Sequence, residues 1–213
     1  MIDVRMFTVG PVQENCFIVR QRGADSAVIV DPGDEADRLL EAIEGLQIET
    51  VEAILLTHTH FDHVGAVAPV ARATGAPVYC PQLEERVLQN IMDFVPWPGF
   101  GPFESYDPDH PLAGGEALNL AGIEFEVLFT PGHSPGHLTY AAGGALFSGD
   151  VLFQGSVGRV DLPGGDWETL LASVRRLLDR YGRDAVVYPG HGPATTVGRE
   201  LDTNPYLREL LVA

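Results

Sequence analysis

Three histidines and an aspartate fall within six consecutive positions of Thr57-His58-Thr59-His60-Phe61-Asp62-His63, directly after the apolar run Ala53-Ile54-Leu55-Leu56. Neutral imidazole beside ionised carboxylate is the ligand chemistry of zinc, and less selectively of iron and manganese. Three later sites share a second pattern, in which an apolar strand runs through a turn of small residues into a candidate ligand. His133 ends Thr130-Pro131-Gly132 after the apolar 123–129 segment, Asp150 follows Leu146-Phe147-Ser148-Gly149, and His191 follows Val186-Val187-Tyr188-Pro189-Gly190. Five of the seven histidines belong to this set.

Each residue has a plainer role open to it. Asp62 could cap a helix starting near residue 63, Asp150 could be a turn acid, and any lone histidine could be a hydrogen-bonded surface group. The density of the first cluster and the repetition of the strand-turn-ligand pattern favour metal. Residues two apart on an extended segment point the same way, so His58 and His60 can converge on one ion while Asp62 and His63 turn toward a neighbouring position. Five imidazoles and two carboxylates exceed one tetrahedral zinc and suit two ions. A pair of ions roughly 3.5–4 Å apart, sharing a carboxylate and a hydroxide, makes a nucleophile near neutral pH and hydrolyses electrophilic carbonyl or phosphorus centres.

Composition narrows the partners. All 13 basic residues are arginine, against 30 acidic residues, for a formal charge of -17. That balance disfavours nucleic acid and anionic membrane surfaces, which require concentrated positive charge. Met1-Ile2-Asp3-Val4-Arg5 lacks the basic region and long apolar stretch of a secretory leader, so a cytoplasmic location is expected. With 213 residues and ligands spread from 58 to 191, one domain over 1–213 is expected, and the sequence points to no oligomeric state. Cys16 and Cys80 read as buried free thiols.

The elements that must position the ligands follow from periodicity. Segments 2–9, 16–20 and 26–30 read as an antiparallel opening. Residues 35–46 carry apolar positions at helical spacing, 54–56 is a buried strand, 64–74 an Ala/Val-rich helix ended by Gly75, and 78–80 a strand. Between 90 and 116 periodicity disappears among prolines, glycines and Phe94, Trp97, Phe100, Phe103 and Tyr106, which predicts a substrate-facing wall or a cover on the core. Strands resume at 117–120, 123–129, 137–142 and 145–149, the last two joined by Gly143-Gly144 as a tight hairpin. A helix from Trp167 to Tyr181, capped by Asp166, leads to a strand at 185–188. Two sheets face to face with helices outside bury all these faces.

Taken together, Thr57 to His63, Pro131-Gly132-His133, Ser148-Gly149-Asp150 and Pro189-Gly190-His191-Gly192 resemble the metallo-beta-lactamase superfamily, and within it the short glyoxalase II-like hydrolases. Asn15-Cys16-Phe17-Ile18, Val30-Asp31-Pro32-Gly33, the segment from Gly155 to Asp161, and Asn204-Pro205-Tyr206-Leu207 extend the likeness almost end to end. The resemblance implies an α/β fold of four layers, an αβ/βα sandwich with metals at one edge of the two sheets. It implies His58, His60 and His133 on a first ion, Asp62, His63 and His191 on a second, and Asp150 bridging. Two zinc ions are the implied cofactors, with iron or manganese possible. True lactamases and RNA-processing members match this pattern less well.

By the same resemblance the substrate is an acyl thioester such as S-lactoylglutathione, attacked by a metal-bridging hydroxide, with Asp62 also accepting a hydrogen bond from that hydroxide. Long glyoxalase II enzymes carry a helical C-terminal domain that grips glutathione, whereas this sequence ends about twenty residues after His191. Only arginines could meet the glutathione carboxylates, and Arg159 is the best placed, although a salt bridge to Asp161 is the stronger reading of it. Trp97 is the candidate substrate-facing aromatic. His137, Asp31 and Thr57 are expected to orient ligands, and His110, in a polar turn, to face solvent. Two other readings remain open. One is a mononuclear iron persulfide dioxygenase holding its metal with His58, His133 and Asp150, and the other is a non-catalytic binding protein stabilised by metal.

Overall fold

The computed structural model describes residues 1–207. Its first sheet opens with β1 (Ile2–Val9), β2 (Glu14–Gln21) and β3 (Ser26–Val30), which pair antiparallel. Helix α1 (Ala36–Gly45) then carries the chain back so that β4 (Thr50–Leu55) lies parallel to β3, with Ile29 opposite Ile54. Parallel neighbours need a crossover, and α2 (Phe61–Val64) with α3 (Val67–Thr74) supplies the next one, to β5 (Val78–Pro81). After α4 (Glu85–Gln89) and the aromatic segment, β6 (His110–Leu112) adds a sixth strand, parallel to β5, giving the order β1-β2-β3-β4-β5-β6.

The second sheet is built the same way in the other half. Strands β7 (Ala117–Leu120), β8 (Ile123–Phe129), β9 (Leu138–Ala142) and β10 (Ala145–Gly149) form an antiparallel meander. Gly143 and Gly144, at φ +56° and +86°, form the two-residue turn between β9 and β10, where both central residues must take positive φ. A short hairpin, β11 (Leu152–Phe153) with β12 (Ser156–Val157), precedes α5 (Trp167–Arg180). That helix crosses over to place β13 (Val186–Pro189) parallel to β10, and β14 (Thr195–Thr196) and α6 (Val197–Thr203) follow. Sheet order is β14-β13-β10-β9-β8-β7.

Alternation along the central strands explains the layers. Ile18, Ile29 and Ile54 face α1 and α3, while their neighbours Phe17, Val28, Val30 and Leu55 face the second sheet and pack on Phe125, Val127, Tyr140 and Phe147. On the far side Leu146 and Val187 meet Leu170, Val174 and Leu177 of α5. The result is the four-layer α/β sandwich expected from the sequence. Asp166 caps α5 as anticipated, its carboxylate accepting from Thr169 N at 2.8 Å. Among the described residues no helix is long and apolar enough to cross a membrane.

Two expectations change. The helix read over 64–74 is two short helices broken at Gly65-Ala66, because Ala66 N donates to Pro32 O at 3.1 Å and a side chain at Gly65 would come within 2.7 Å of Phe103. The stretch 90–116 holds a strand, so His110 is not in a polar turn. It pairs opposite Tyr79 in β6, although its side chain is exposed as expected. Three residues of strand beside two prolines leave no period to detect.

Candidate metal centre

Every proposed ligand sits just beyond a buried strand, where a rigid sheet ends and the backbone is free to turn. Residues 57–60 run off the end of β4 without regular structure, Asp62 and His63 lie in α2, His133 follows β8, Asp150 follows β10 and His191 follows β13. The strand ends meet at one edge of the two sheets. Tyr140 from the second sheet donates its hydroxyl to Leu56 O at 2.7 Å, and Asn15 from the first donates its amide to Pro189 O at 3.0 Å and Gly192 O at 2.8 Å. These contacts tie the loops of one half to the sheet of the other. Gly190 has to be glycine because a Cβ there would run into the Asp150 carboxylate and come within 2.6 Å of His63.

The structure brings all seven residues together in two sets. Nε2 of His58 and of His133 lie 3.1 and 2.9 Å from Nδ1 of His60. His191 Nε2 is 3.2 Å from Asp62 Oδ2, and His63 Nε2 is 3.9 Å from it. Asp150 stands between the sets, with Oδ1 3.4 Å from His63 and Oδ2 3.5 Å from His133 and 3.7 Å from His191. His58, His60 and His133 form one group whose ligand atoms are mutually close, and Asp62, His63 and His191 form another.

The opposite ring nitrogens explain why these faces turn inward. His133 Nδ1 donates to Arg159 O at 2.8 Å, His191 Nδ1 to Gln13 O at 3.2 Å and His63 Nδ1 to Asp31 at 3.0 Å. Thr57 gives its hydroxyl proton to Asp31 at 2.6 Å and therefore accepts from His58 Nδ1 at 3.0 Å. Burial drives the His58 imidazole well below its usual pKa and takes His60 down to about 4, so both are uncharged near neutrality. The inward nitrogens of His58, His60 and His133 face one another at 2.9–3.1 Å. A cation resolves that arrangement.

The second set balances differently. Burial disfavours the charged forms of His63 and His191, but Asp150 and Asp62 outweigh it and raise both imidazoles above the usual value. Burial likewise opposes ionisation of Asp150, yet His63, His133 and His191 hold it well below the carboxylate range. Among the described residues, His63 Nε2 and Asp150 Oδ1, 3.4 Å apart, are buried without a hydrogen-bond partner. Unsatisfied atoms of this kind, facing each other across the middle of the cluster, fit a metal site.

His137, Asp31 and Thr57 take the orienting roles expected of them. His137 Nε2 accepts the backbone N–H of Asp150 at 3.1 Å, and its other nitrogen meets Thr130 Oγ1 at 3.1 Å. Sequence reasoning missed two buried acids. Glu84 bonds the loops carrying His58, His60 and His133, and Glu14 lies with Oε1 3.7 Å from His63 Nδ1, its carboxyl pushed up by burial. Glu14 stands one residue before the recognised Asn15-Cys16 motif, which was the available signal for it.

An aromatic cluster adjoins the ligand loop. Phe61, between His60 and Asp62, packs on Phe100 at 4.9 Å, Phe103 at 5.8 Å and Trp97 at 6.1 Å between ring centroids. Phe100, Phe103 and Tyr106 also lean on the helix-side core, whereas Trp97 is 41% exposed, with the Arg159 guanidinium 5.8 Å over its ring. The segment is thus core cover along its inner side, with Trp97 left partly exposed beside Phe61 and Arg159. Arg159 forms the expected pair with Asp161, Nε to Oδ1 at 2.6 Å and Nη2 to Oδ2 at 2.7 Å.

The sequence model of the Metallo-beta-lactamase superfamily matches residues 9–191. The chain belongs to that superfamily. A Haemophilus influenzae relative, Hydroxyacylglutathione hydrolase GloC, is 36% identical over 97% of this chain and 98% of its own length. Among solved structures, the di-iron-bound form of TTHA1623 is 45% identical over 96% of this chain and 100% of its own, with a TM-score of 0.85. BLEG-1 B3 metallo-beta-lactamase is 41% identical over 98% and 100%, with a TM-score of 0.90. This last superfamily member carries a lactamase name, although true lactamases were expected to match less well. Membership and the names of these relatives support a metal-dependent hydrolase.

Proposed function

We propose that this chain is a two-metal hydrolase of acyl thioesters, acting on S-lactoylglutathione or a related ester. The observation that carries the reading is the pairing of two ligand sets across one carboxylate: His58, His60 and His133 for a first ion, Asp62, His63 and His191 for a second, and Asp150 between them. Two zinc ions suit these donors. Iron has the support of the di-iron form of TTHA1623, and manganese tolerates the same ligands. When bound, such a pair makes water nucleophilic near neutral pH and polarises a carbonyl oxygen.

The chain's own groups do the rest. Asp31, Thr57, and the Arg159 and Gln13 carbonyls fix the tautomers of His58, His63, His133 and His191. In this reading Asp62 and Asp150 supply the catalytic negative charge, and Asp62, besides holding the second ion, would accept a hydrogen bond from the attacking hydroxide. A thiolate leaves without a general acid, because thiol pKa values lie near neutrality compared with those of alcohols. Trp97 and Phe61 border the cleft and limit bulk water.

Glutathione brings two carboxylates, while the Arg159 fork is occupied by Asp161 and the chain has no lysine. Discrimination among thiols is therefore modest in this reading. The test is kcat/KM for lactoyl esters of glutathione and of a small neutral thiol, run beside a chromogenic cephalosporin. Turnover of both esters with less than a hundredfold difference is expected. A hundredfold or greater preference for glutathione, about 2.7 kcal/mol of transition-state binding, would reveal a specific anion site. Cephalosporin turnover with inert thioesters would replace the proposal with a lactamase, as the name of BLEG-1 suggests.

A further inference from the structure

Glu84 lies at the end of a single 3-10 turn, Gln82–Glu84, between β5 and α4, and is 4% exposed. Its Oε2 accepts from Thr59 N at 2.8 Å and from Thr59 Oγ1 at 3.0 Å. Its Oε1 accepts from Ser134 Oγ at 2.6 Å and from Gly136 N at 2.7 Å. Thr59 sits between His58 and His60. Ser134 follows His133, and Gly136 precedes His137, the residue that receives the Asp150 N–H. One carboxylate thus bonds to both segments that supply the first ligand set, and none of its contacts is to a ligand side chain.

We propose that Glu84 is a positioning residue for the first metal site, clamping the His58–His60 loop to the His133 loop at the separation the ion requires. The proposal rests on the two-set metal centre and adds the device that preorganises half of it. Two features argue for a dedicated clamp over a generic core contact. The two backbone N–H groups can only donate, and only a carboxylate presents two oxygens, each with room for two donors; glutamine would turn an amide N–H₂ toward one of the pairs. Gly136 also yields its space to this side chain. Its backbone lies outside the left-handed region, so no conformational demand calls for glycine, yet a Cβ there would come within 2.8 Å of Glu84 Cγ and 3.1 Å of Oε1. Charge-assisted bonds of this kind are short and directional, which suits holding two loops in register.

The experiment titrates metal-free wild type, Glu84→Gln and Ser134→Ala with cobalt(II), following the visible absorption bands against a competing chelator, and measures the melting temperature of each metal-free protein. Groups that orient metal ligands typically change metal affinity by about 10- to 100-fold. Glu84→Gln is expected to weaken the first ion by that factor and to shift its absorption bands, while the second ion's Kd stays within about twofold. Ser134→Ala, which removes one bond and keeps the fold's acid, is expected to show the same site selectivity at a smaller size with a near wild-type melting temperature. Unchanged first-ion affinity in both variants overturns the proposal. So does equal weakening of both ions in step with lost thermal stability, and if Glu84→Gln fails to fold, Ser134→Ala decides alone. A wild-type chain that takes up no cobalt would overturn the metal centre itself, a failure visible before any variant is compared.

Discussion

The backbone N–H of Asp150 donates to Nε2 of His137 at 3.1 Å, so the residue that stands between the two side-chain sets is held by a histidine that belongs to neither. Burial holds the His137 imidazole well below its usual pKa, which keeps Nε2 an acceptor. His137→Ala leaves that buried N–H unpaired. Loss of about 1–3 kcal/mol of stability and about 10- to 100-fold in kcat is expected, measured by denaturant unfolding and steady-state kinetics. Normal kcat in a folded variant would show that Asp150 is aimed by its loop alone.

Asp150→Ala removes the carboxylate that links the two sets. Metal loss and collapse of kcat are expected, in place of a simple rise in KM. Atomic absorption on the purified variant checks the first and steady-state assays the second. Near wild-type metal content with largely unchanged kcat would contradict the bridging role. His110→Ala, exposed on the edge strand β6 two strands away from β4, is the control and should change little.

Trp97→Ala tests the rim. The ring touches Phe61 and Arg159 and contributes little to the core, so higher KM or lower kcat/KM with full metal content is expected. Lost thermal stability with normal kinetics would instead make Trp97 part of the cover formed by Phe100 and Phe103.

The two sets differ in the protons they hold before metal arrives. His58 and His60 are neutral near pH 7 because burial depresses both, whereas the carboxylates around His63 and His191 raise theirs. A raised imidazole pKa means a proton is retained at pH values where free histidine has lost it, so falling pH opposes loading of the Asp62, His63 and His191 set. Calorimetric titration near pH 7 in two buffers of different ionisation enthalpy should report proton release as that set is loaded. A binding heat independent of the buffer would contradict the raised values.

Much of the site was legible because its ligands are local in sequence and its strands are strongly patterned. The 57–63 cluster, the three strand-turn-ligand repeats, the Gly143-Gly144 hairpin and the Asp166 cap each depend on residues a few positions apart. What escaped depends on distant neighbours. Glu84 looks like any surface acid after a strand until the fold sets it against Thr59, Ser134 and Gly136, 25 to 52 positions away. Glu14 is a strand-end acid until His63 packs on it. The break at Gly65 is imposed by Pro32 and Phe103, and β6 forms because Tyr79 and its neighbours offer a free strand edge to three residues with weak propensity of their own. Arg159 was correctly paired with Asp161, two residues on, but its stacking on Trp97 spans 62 positions and carries no sequence signal.

The central claim, a two-metal thioester hydrolase, is tested most directly by metal content measured beside turnover on one preparation. The purified chain is analysed for zinc, iron and manganese, assayed for S-lactoylglutathione hydrolysis under argon, and then assayed for oxygen uptake with glutathione persulfide. About two ions per chain with oxygen-independent hydrolysis is the predicted result. One iron per chain, oxygen uptake with the persulfide and no hydrolysis would contradict it and make the protein a dioxygenase built on His58, His133 and Asp150.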